Sequence, residues 1–262
     1  MPLAPIAVVL AAGKGTRMGS DLPKVLHEAA GKPLVTWVLE ALAAAGILDR
    51  IVVVGYGADL VERTLAGMAG VSFALQQDQR GTGDAVAAAA ASIRSLIATD
   101  PPGSRRPVVI VCGDSPMLRV ESVAGLLAAW SARAAACLLG TAVTNDPTGL
   151  GRIVRDAGGR FQRIVEQKDA TAAELAITEV NMSTYVFEAH ALLRALANLR
   201  PDNAAGEYYI TDCPGMLLRE GCVVDAVACL DASETLSVNT PEQLAAVAAA
   251  LKNRCAQDKV AS

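Results

Sequence analysis

Short apolar runs separated by polar, helix-length stretches set the rhythm of the first half of the chain. Ile6–Leu10, Ile51–Val54, Val71–Leu75 and Val108–Val111 each read as a buried strand. Helices are predicted between them. Pro33 stands at a favoured first helical position, Leu34, Trp37, Val38, Ala41 and Leu42 share one face, and Gly46 closes the helix. Ala58–Ala66 and Gly83–Leu96 are further helices. The β-α-β-α order predicts an α/β fold with a mostly parallel sheet covered on both faces. After Cys137–Val143 the pattern changes. Arg152–Arg155 and Arg160–Val165, joined through Asp156-Ala157-Gly158-Gly159, read as a β-hairpin, and Val180–Phe187 as another strand. This small β insertion is expected over the open end of the sheet, where ligands bind in such folds. Val223–Cys229 reads as a strand, and Tyr208–Leu218 and Pro241–Cys255 read as helices. The organisation expected is one domain over residues 1–240, then a C-terminal helix and tail over 241–262.

The first strand opens into L-A-A-G-K-G-T-R-M-G-S-D-L-P-K, Leu10 to Lys24. Small residues let backbone N–H groups approach a ligand, and Arg17 and Lys24 bring two cations to the same place. Two familiar nucleotide motifs fail here. The dinucleotide G-x-G-x-x-G meets Met18 three residues after Gly15, and a G-x-x-x-x-G-K-[ST] loop started at Gly13 meets Met18 five residues on. What remains, L-A-A-G-x-G-x-R-M with P-K downstream, resembles the loop of sugar-nucleotide pyrophosphorylases and related nucleotidyltransferases.

Composition narrows the classes. The net charge is −4, with no long basic run, which argues against a nucleic-acid surface. Six cysteines without a C-x-x-C pair and only two histidines leave little for zinc or a disulfide framework. No run reaches a membrane span, and no basic residue precedes the first apolar run, as a signal peptide requires. A cytoplasmic protein without membrane or nucleic-acid partners is expected.

Polar residues fall at strand ends. Asp114, in V-C-G-D-S-P, is either a turn residue or a Mg²⁺ ligand. Asn239, in L-S-V-N-T-P, is either a helix cap or a second metal oxygen. Gln76 has an amide able to pair with a pyrimidine edge, Gly81 allows backbone approach, and Thr82 is alternatively a plain helix cap. Glu166, Asn181, Tyr209 and Thr211 supply the acceptors and donors that sugar hydroxyls need.

With D-P-T-G-L-G-R-I, I-V-E-Q-K-D-A and N-A-A-G-E-Y-Y-I-T-D added, the chain resembles the uridyltransferase domain of the bacterial bifunctional N-acetylglucosamine-1-phosphate uridyltransferase/glucosamine-1-phosphate acetyltransferase family. The resemblance runs to about Leu251. It implies a Rossmann-like fold of the nucleotide-diphospho-sugar transferase type. It also implies Mg²⁺-dependent transfer from UTP to N-acetylglucosamine 1-phosphate, giving UDP-N-acetylglucosamine, a peptidoglycan precursor. Leu10, Ala11, Ala12, Gly13, Lys24, Gln76, Gly81 and Thr82 match the UTP-binding positions, and Arg17 the arginine that serves the triphosphate. Asp114 and Asn239 match the metal ligands. Gly113, Gly151, Glu166, Asn181, Tyr209 and Thr211 match the sugar-binding positions. Cys112 stands where the family commonly has tyrosine, and Ser183 and Ser237 where it has glycine. These three departures bear on sugar choice more than on reaction type. The sequence reaches Ser262 without the family's hexapeptide repeats, so acetyl transfer is not expected of this chain and the family's trimer is not assumed for it. Whether a separate acetyltransferase partners it stays open.

Overall fold

The computed structural model describes residues 3–202 and 206–261. Its first strand, β1 (Ile6–Ala11), lies inside a nine-stranded sheet and is buried on both faces. The alternation of its side chains explains the double burial: Ile6 and Val8 join one core, Ala7, Val9 and Ala11 the other. A two-stranded ribbon, β2 (Glu28–Ala29) and β3 (Lys32–Pro33), precedes α1 (Leu34–Ala44). Pro33 thus ends the ribbon and caps the helix rather than occupying its first turn. Then follow β4 (Asp49–Val54), α2 (Ala58–Leu65) and β5 (Val71–Leu75). The single helix expected over Gly83–Leu96 is two, α3 (Thr82–Ala88) and α4 (Ala90–Ile97), parted at Ala89. After β6 (Pro107–Cys112) comes α5 (Val120–Arg133), which no predicted element covered. Its Val123, Leu126 and Trp130 are buried in the second core.

The remaining elements are β7 (Cys137–Val143), β8 (Arg152–Arg155), β9 (Phe161–Val165), α6 (Ala172–Leu175), β10 (Glu179–Glu188), α7 (Ala189–Asn198), α8 (Asp212–Arg219), β11 (Val224–Ala228) and α9 (Pro241–Ala261). The sheet order is β11-β7-β10-β6-β1-β4-β5, with β8 hung on β10 and β9 on β8. Along that order neighbours are parallel except where β10 pairs antiparallel with β6 and β7; β8 pairs antiparallel with β10 and with β9. The Val180–Phe187 strand is therefore an interior strand, and only the hairpin of β8 and β9 behaves as an insertion. It is held centrally because Val180, Tyr185, Val186 and Phe187 have no exposed face. The helix expected from Tyr208 starts at Asp212, and Tyr208–Thr211 are instead laced to the turn before α3: Tyr208 N donates to Arg80 O (2.8 Å) and Gly83 N to Tyr208 O (2.7 Å).

One core packs α3, α4, α7 and α8 on the first face, and the other packs α1, α2 and α5 on the second. A third cluster joins Val247 and Leu251 of α9 to Met18, Ala29, Leu34, Met117 and Val238. It ties the C-terminal helix to the loop after β1 and holds the residue before Asn239. Because β10 is reversed against its neighbours β6 and β7, its beginning lies at the same edge as the ends of β1, β5, β6 and β7. Among the described residues no helix is long and apolar enough to cross a membrane.

Candidate active site

The loop after β1 is folded back by two short turns, Thr16–Met18 and Lys24–Leu26. Val25 and Leu26 are buried and anchor the second turn, so the Lys24 side chain is directed across the strand ends. Gly15 has φ +72°, and a Cβ there would stand 2.7 Å from the Cβ of Lys24. Only glycine lets the lysine stem pass at this point.

Lys24 Nζ forms an ion pair with Asp114 Oδ2 and donates to Asn239 Oδ1 at 2.7 Å. Arg17 Nη2 donates to the same Asn239 oxygen at 2.9 Å. Residues from the loop after β1, the end of β6 and the loop before α9 thus meet on one small cluster of two cations and two oxygens. The helix-cap reading of Asn239 gives way: Thr240 Oγ1 accepts from Gln243 N (3.3 Å), leaving the Asn239 side chain for the cluster. Asn239 Nδ2 donates to Ser237 Oγ (3.3 Å), which turns Oδ1 toward the cations.

Two cavities meet here. The smaller, about 270 Å³, is lined by Leu10, Ala12, Gly13, Gln76, Gly81, Thr82 and Asp114 among others. The larger, about 550 Å³, is lined by Arg17, Glu166, Ser183, Tyr209, Thr211 and Asn239 among others. Leu10, Thr82 and Cys112 border both. Leu10, Ala12, Gly13, Gln76, Gly81 and Thr82 of the expected nucleotide positions thus line the smaller cavity, Glu166, Tyr209 and Thr211 of the six expected sugar positions line the larger, and Arg17, expected at the triphosphate, also lines the larger.

Other expected residues stand behind these walls. Ala11 is buried in the second core, so only its backbone is near the site. Gly113 N donates to Leu10 O at 2.8 Å, holding the end of β6 against β1. Gly151 lies between Asn181 and Glu166, where a Cβ would stand 3.5 Å from each. Asn181 is buried, and its Nδ2 donates to Tyr185 Oη (2.9 Å) while its Oδ1 accepts from Ser183 N (3.2 Å). It supports the wall rather than lining it. Asn203, Ala204 and Ala205 lie outside the described residues. A separate cavity of about 760 Å³, bordered by Arg94, Asp100, His190 and Arg194, contains none of these positions.

Gln76 is held from both sides. Its Nε2 donates to Gly81 O (3.1 Å) and Asp84 Oδ2 (2.8 Å), so both amide hydrogens are taken and Oε1 is the part left for a ligand. Thr82 Oγ1 accepts from Ile210 N (3.1 Å) instead of capping α3. Lys168 Nζ donates to Tyr209 Oη (2.9 Å). Burial and then the Asp169 carboxylate push the Glu166 carboxyl above its ordinary 4.5, against the opposing Lys168 ammonium. Burial raises the Cys112 thiol to about 12, helped by Asp114, so it stays uncharged beside the cluster.

Sequence reasoning missed several supports. Asp84 orients Gln76, and Arg152, itself buried, donates to Leu150 O and to Gln167 Oε1 (3.3 Å) beneath the larger cavity. Neither follows a motif, because each acts on a partner brought near only by the fold. Lys168 lies within I-V-E-Q-K-D-A, and its closeness to Glu166 in that segment was the available signal.

The sequence profile of the MobA-like NTP transferase domain matches residues 7–208. The chain is 42% identical over 256 residues to the bifunctional protein GlmU of Pelotomaculum thermopropionicum, covering 98% of this chain and 54% of that protein. It is 44% identical over 239 residues to the bifunctional protein GlmU of Geobacter metallireducens, covering 91% and 48%. The chain thus spans about half the length of the curated relatives it matches. The crystal structure of an apo UDP-glucose pyrophosphorylase superposes with a TM-score of 0.73 at 15% identity, covering 96% of this chain and 99% of that one, a likeness of fold. By the span of the profile match and the fold it shares, the chain belongs to the MobA-like NTP transferase family.

Proposed function

We propose that the chain transfers the uridylyl group of UTP to N-acetylglucosamine 1-phosphate, giving UDP-N-acetylglucosamine and pyrophosphate. The observation that carries this reading is the meeting of two cavities at the Arg17–Lys24–Asp114–Asn239 cluster. The sequence resemblance and the GlmU relatives support the choice of substrates.

The smaller cavity takes the nucleotide. With both amide hydrogens of Gln76 committed, its Oε1 accepts the imide N–H of uracil, whereas cytosine offers a lone pair at that ring nitrogen. The larger cavity takes the sugar, with Glu166, Tyr209 and Thr211 as polar contacts. The phosphate of the sugar then faces the α-phosphate of UTP at the shared border. Its anionic oxygen attacks the α-phosphorus in line, the new P–O bond forms, and the bond to the β-phosphate oxygen breaks, releasing pyrophosphate. The nucleophile is already an anion near neutral pH, so no general base is needed. Catalysis comes from alignment and charge stabilisation. Lys24 and Arg17 offset charge on the α-phosphate and the departing pyrophosphate.

Asp114 Oδ2 and Asn239 Oδ1 already converge on one cation, the Lys24 ammonium, so the donor set fits a small hard metal ion that completes its shell with phosphate oxygens and water. When bound there, Mg²⁺ supplies positive charge against the phosphates of both substrates. Among the described residues no group of three or more His, Cys, Asp or Glu could hold a metal by itself, which favours a site shared with substrate.

The test is pyrophosphate release from UTP with N-acetylglucosamine 1-phosphate, with and without Mg²⁺, beside glucose 1-phosphate and N-acetylgalactosamine 1-phosphate. Metal-dependent release, fastest with the first sugar, is expected. Release with another sugar alone would change the substrate and keep the chemistry. Binding of UTP without release from any sugar would make the chain a nucleotide-binding module.

A further inference from the structure

Ser183 has φ +50°, a left-handed backbone that side-chain-bearing residues rarely adopt. The other such residues are Ala30, in the turn between β2 and β3, and Ala134, at the end of α5. Neither borders the two cavities, whereas Ser183 lines the larger one. The strand is distorted at this point. Asn181 pairs with Thr141 and Thr184 with Gly140, so Met182 and Ser183 bulge out of the ladder between β10 and β7. The bulge is held by Ser183 N donating to Asn181 Oδ1 (3.2 Å), and Asn181 is fixed in turn on Tyr185 Oη (2.9 Å). Strain kept at a cavity wall by so many restraints points to a use for the side chain it presents.

Ser183 and Cys112 both line the larger cavity, and Cys112 borders the smaller one as well. A hydroxyl carries one donor and two acceptor lone pairs. On the wall of the larger cavity, the Ser183 hydroxyl can offer those lone pairs to a sugar hydroxyl.

We propose that Ser183 is a specificity-determining residue: its hydroxyl accepts a hydrogen bond from the sugar of the sugar 1-phosphate and so helps choose which sugar the larger cavity takes. This rests on the reading of the site as a sugar-1-phosphate nucleotidyltransferase. The contact belongs to the sugar side, so it acts on sugar KM and leaves UTP binding alone.

The experiment compares the parent chain, Ser183→Ala and Ser183→Gly in steady-state pyrophosphate release. Substrates are N-acetylglucosamine 1-phosphate and glucose 1-phosphate, each titrated at saturating UTP, then UTP at saturating sugar. Ser183→Ala keeps the Cβ and removes the hydroxyl, while Ser183→Gly also frees the backbone. Both variants are expected to change the kcat/KM ratio between the two sugars by about fivefold or more, mainly through sugar KM, with UTP KM within about twofold. A purely structural serine would scale both sugars equally and move UTP KM with them. A ratio shift below fivefold in Ser183→Ala, from folded active enzyme, overturns the proposal and leaves the functional reading standing. Failure of the parent chain to turn over any sugar phosphate overturns the functional reading, and this inference with it.

Discussion

The two halves of the site are built by different means. The proposed nucleotide side draws on the strand end and loop at Leu10, Ala12 and Gly13 and the turn at Gly81–Thr82, with Gln76, Gln79, Asp114 and Glu207 as its polar side chains. The sugar side is mostly side chain: Glu166 after β9, Ser183 on the β10 bulge, Tyr209 and Thr211 in the segment before α8. In the proposed reading small residues admit the triphosphate by getting out of its way, and those of Leu10–Gly13 do so within one contiguous stretch of sequence. The proposed sugar is gripped by several polar side chains drawn from segments far apart in the chain. The first half is therefore set by local conformation and the second by how a hairpin, a bulge and a loop are packed together.

The border between the halves should show the largest effect of any single substitution. Lys24 links Asp114, just after β6, to Asn239 before α9; Asp114 lines the smaller cavity and Asn239 the larger. Lys24→Ala is expected to lower kcat by about 10²–10³-fold, the usual cost of removing one charged stabiliser of a transferring phosphoryl group. Its anchors Val25 and Leu26 remain buried, so the far-ultraviolet circular dichroism spectrum should be unchanged. Near-normal kcat in a folded variant would remove the cluster from the chemistry.

The same contrast explains what the sequence disclosed. The alternation in β1 and the apolar runs of β4, β5 and β6 declare a covered parallel sheet because period-two burial is written residue by residue. The small-residue loop with Arg17 and Lys24 was legible for the same reason. The central position of β10 was not: a doubly buried strand reads the same in an insertion as in the middle of a sheet, and only pairing partners tell them apart. Tyr208–Thr211 look helical by pattern but are claimed by hydrogen bonds to Arg80, Thr82 and Gly83. Each miss is a case of a distant partner outbidding local preference.

Those lacing bonds make a sharper trial of the separation between the halves. Gly81 has φ +111°, and a Cβ there would lie 2.5 Å from the carbonyl oxygen of Tyr208. Gly81→Ala combines a backbone region open almost only to glycine with a clash against fixed backbone. It is expected to cost about 2–3 kcal/mol, a fall in Tm of roughly 4–10 °C, measured by thermal unfolding. Tyr208 precedes Tyr209, so displacement should raise KM for the sugar phosphate as well as for UTP. A rise confined to UTP would mean that the two halves are mechanically independent despite the hydrogen bonds joining them.

The smallest effect belongs to the sugar side alone and is read from pH. Burial, seconded by Asp169, raises the Glu166 carboxyl above 4.5. A carboxylate accepts from sugar hydroxyls; once protonated it loses part of that capacity. As pH falls through the raised value, more Glu166 becomes neutral, so KM for the sugar phosphate should rise on the acidic side, beginning at a higher pH than an ordinary glutamate would produce. UTP binding, contacted through Gln76 and backbone, should lack that limb. Glu166→Gln keeps the shape and removes the titration: sugar KM should be raised a few-fold at neutral pH, about the worth of one hydrogen bond, and flat where the parent's rises. A parent profile with the same acidic limb in both substrates would take Glu166 out of sugar binding.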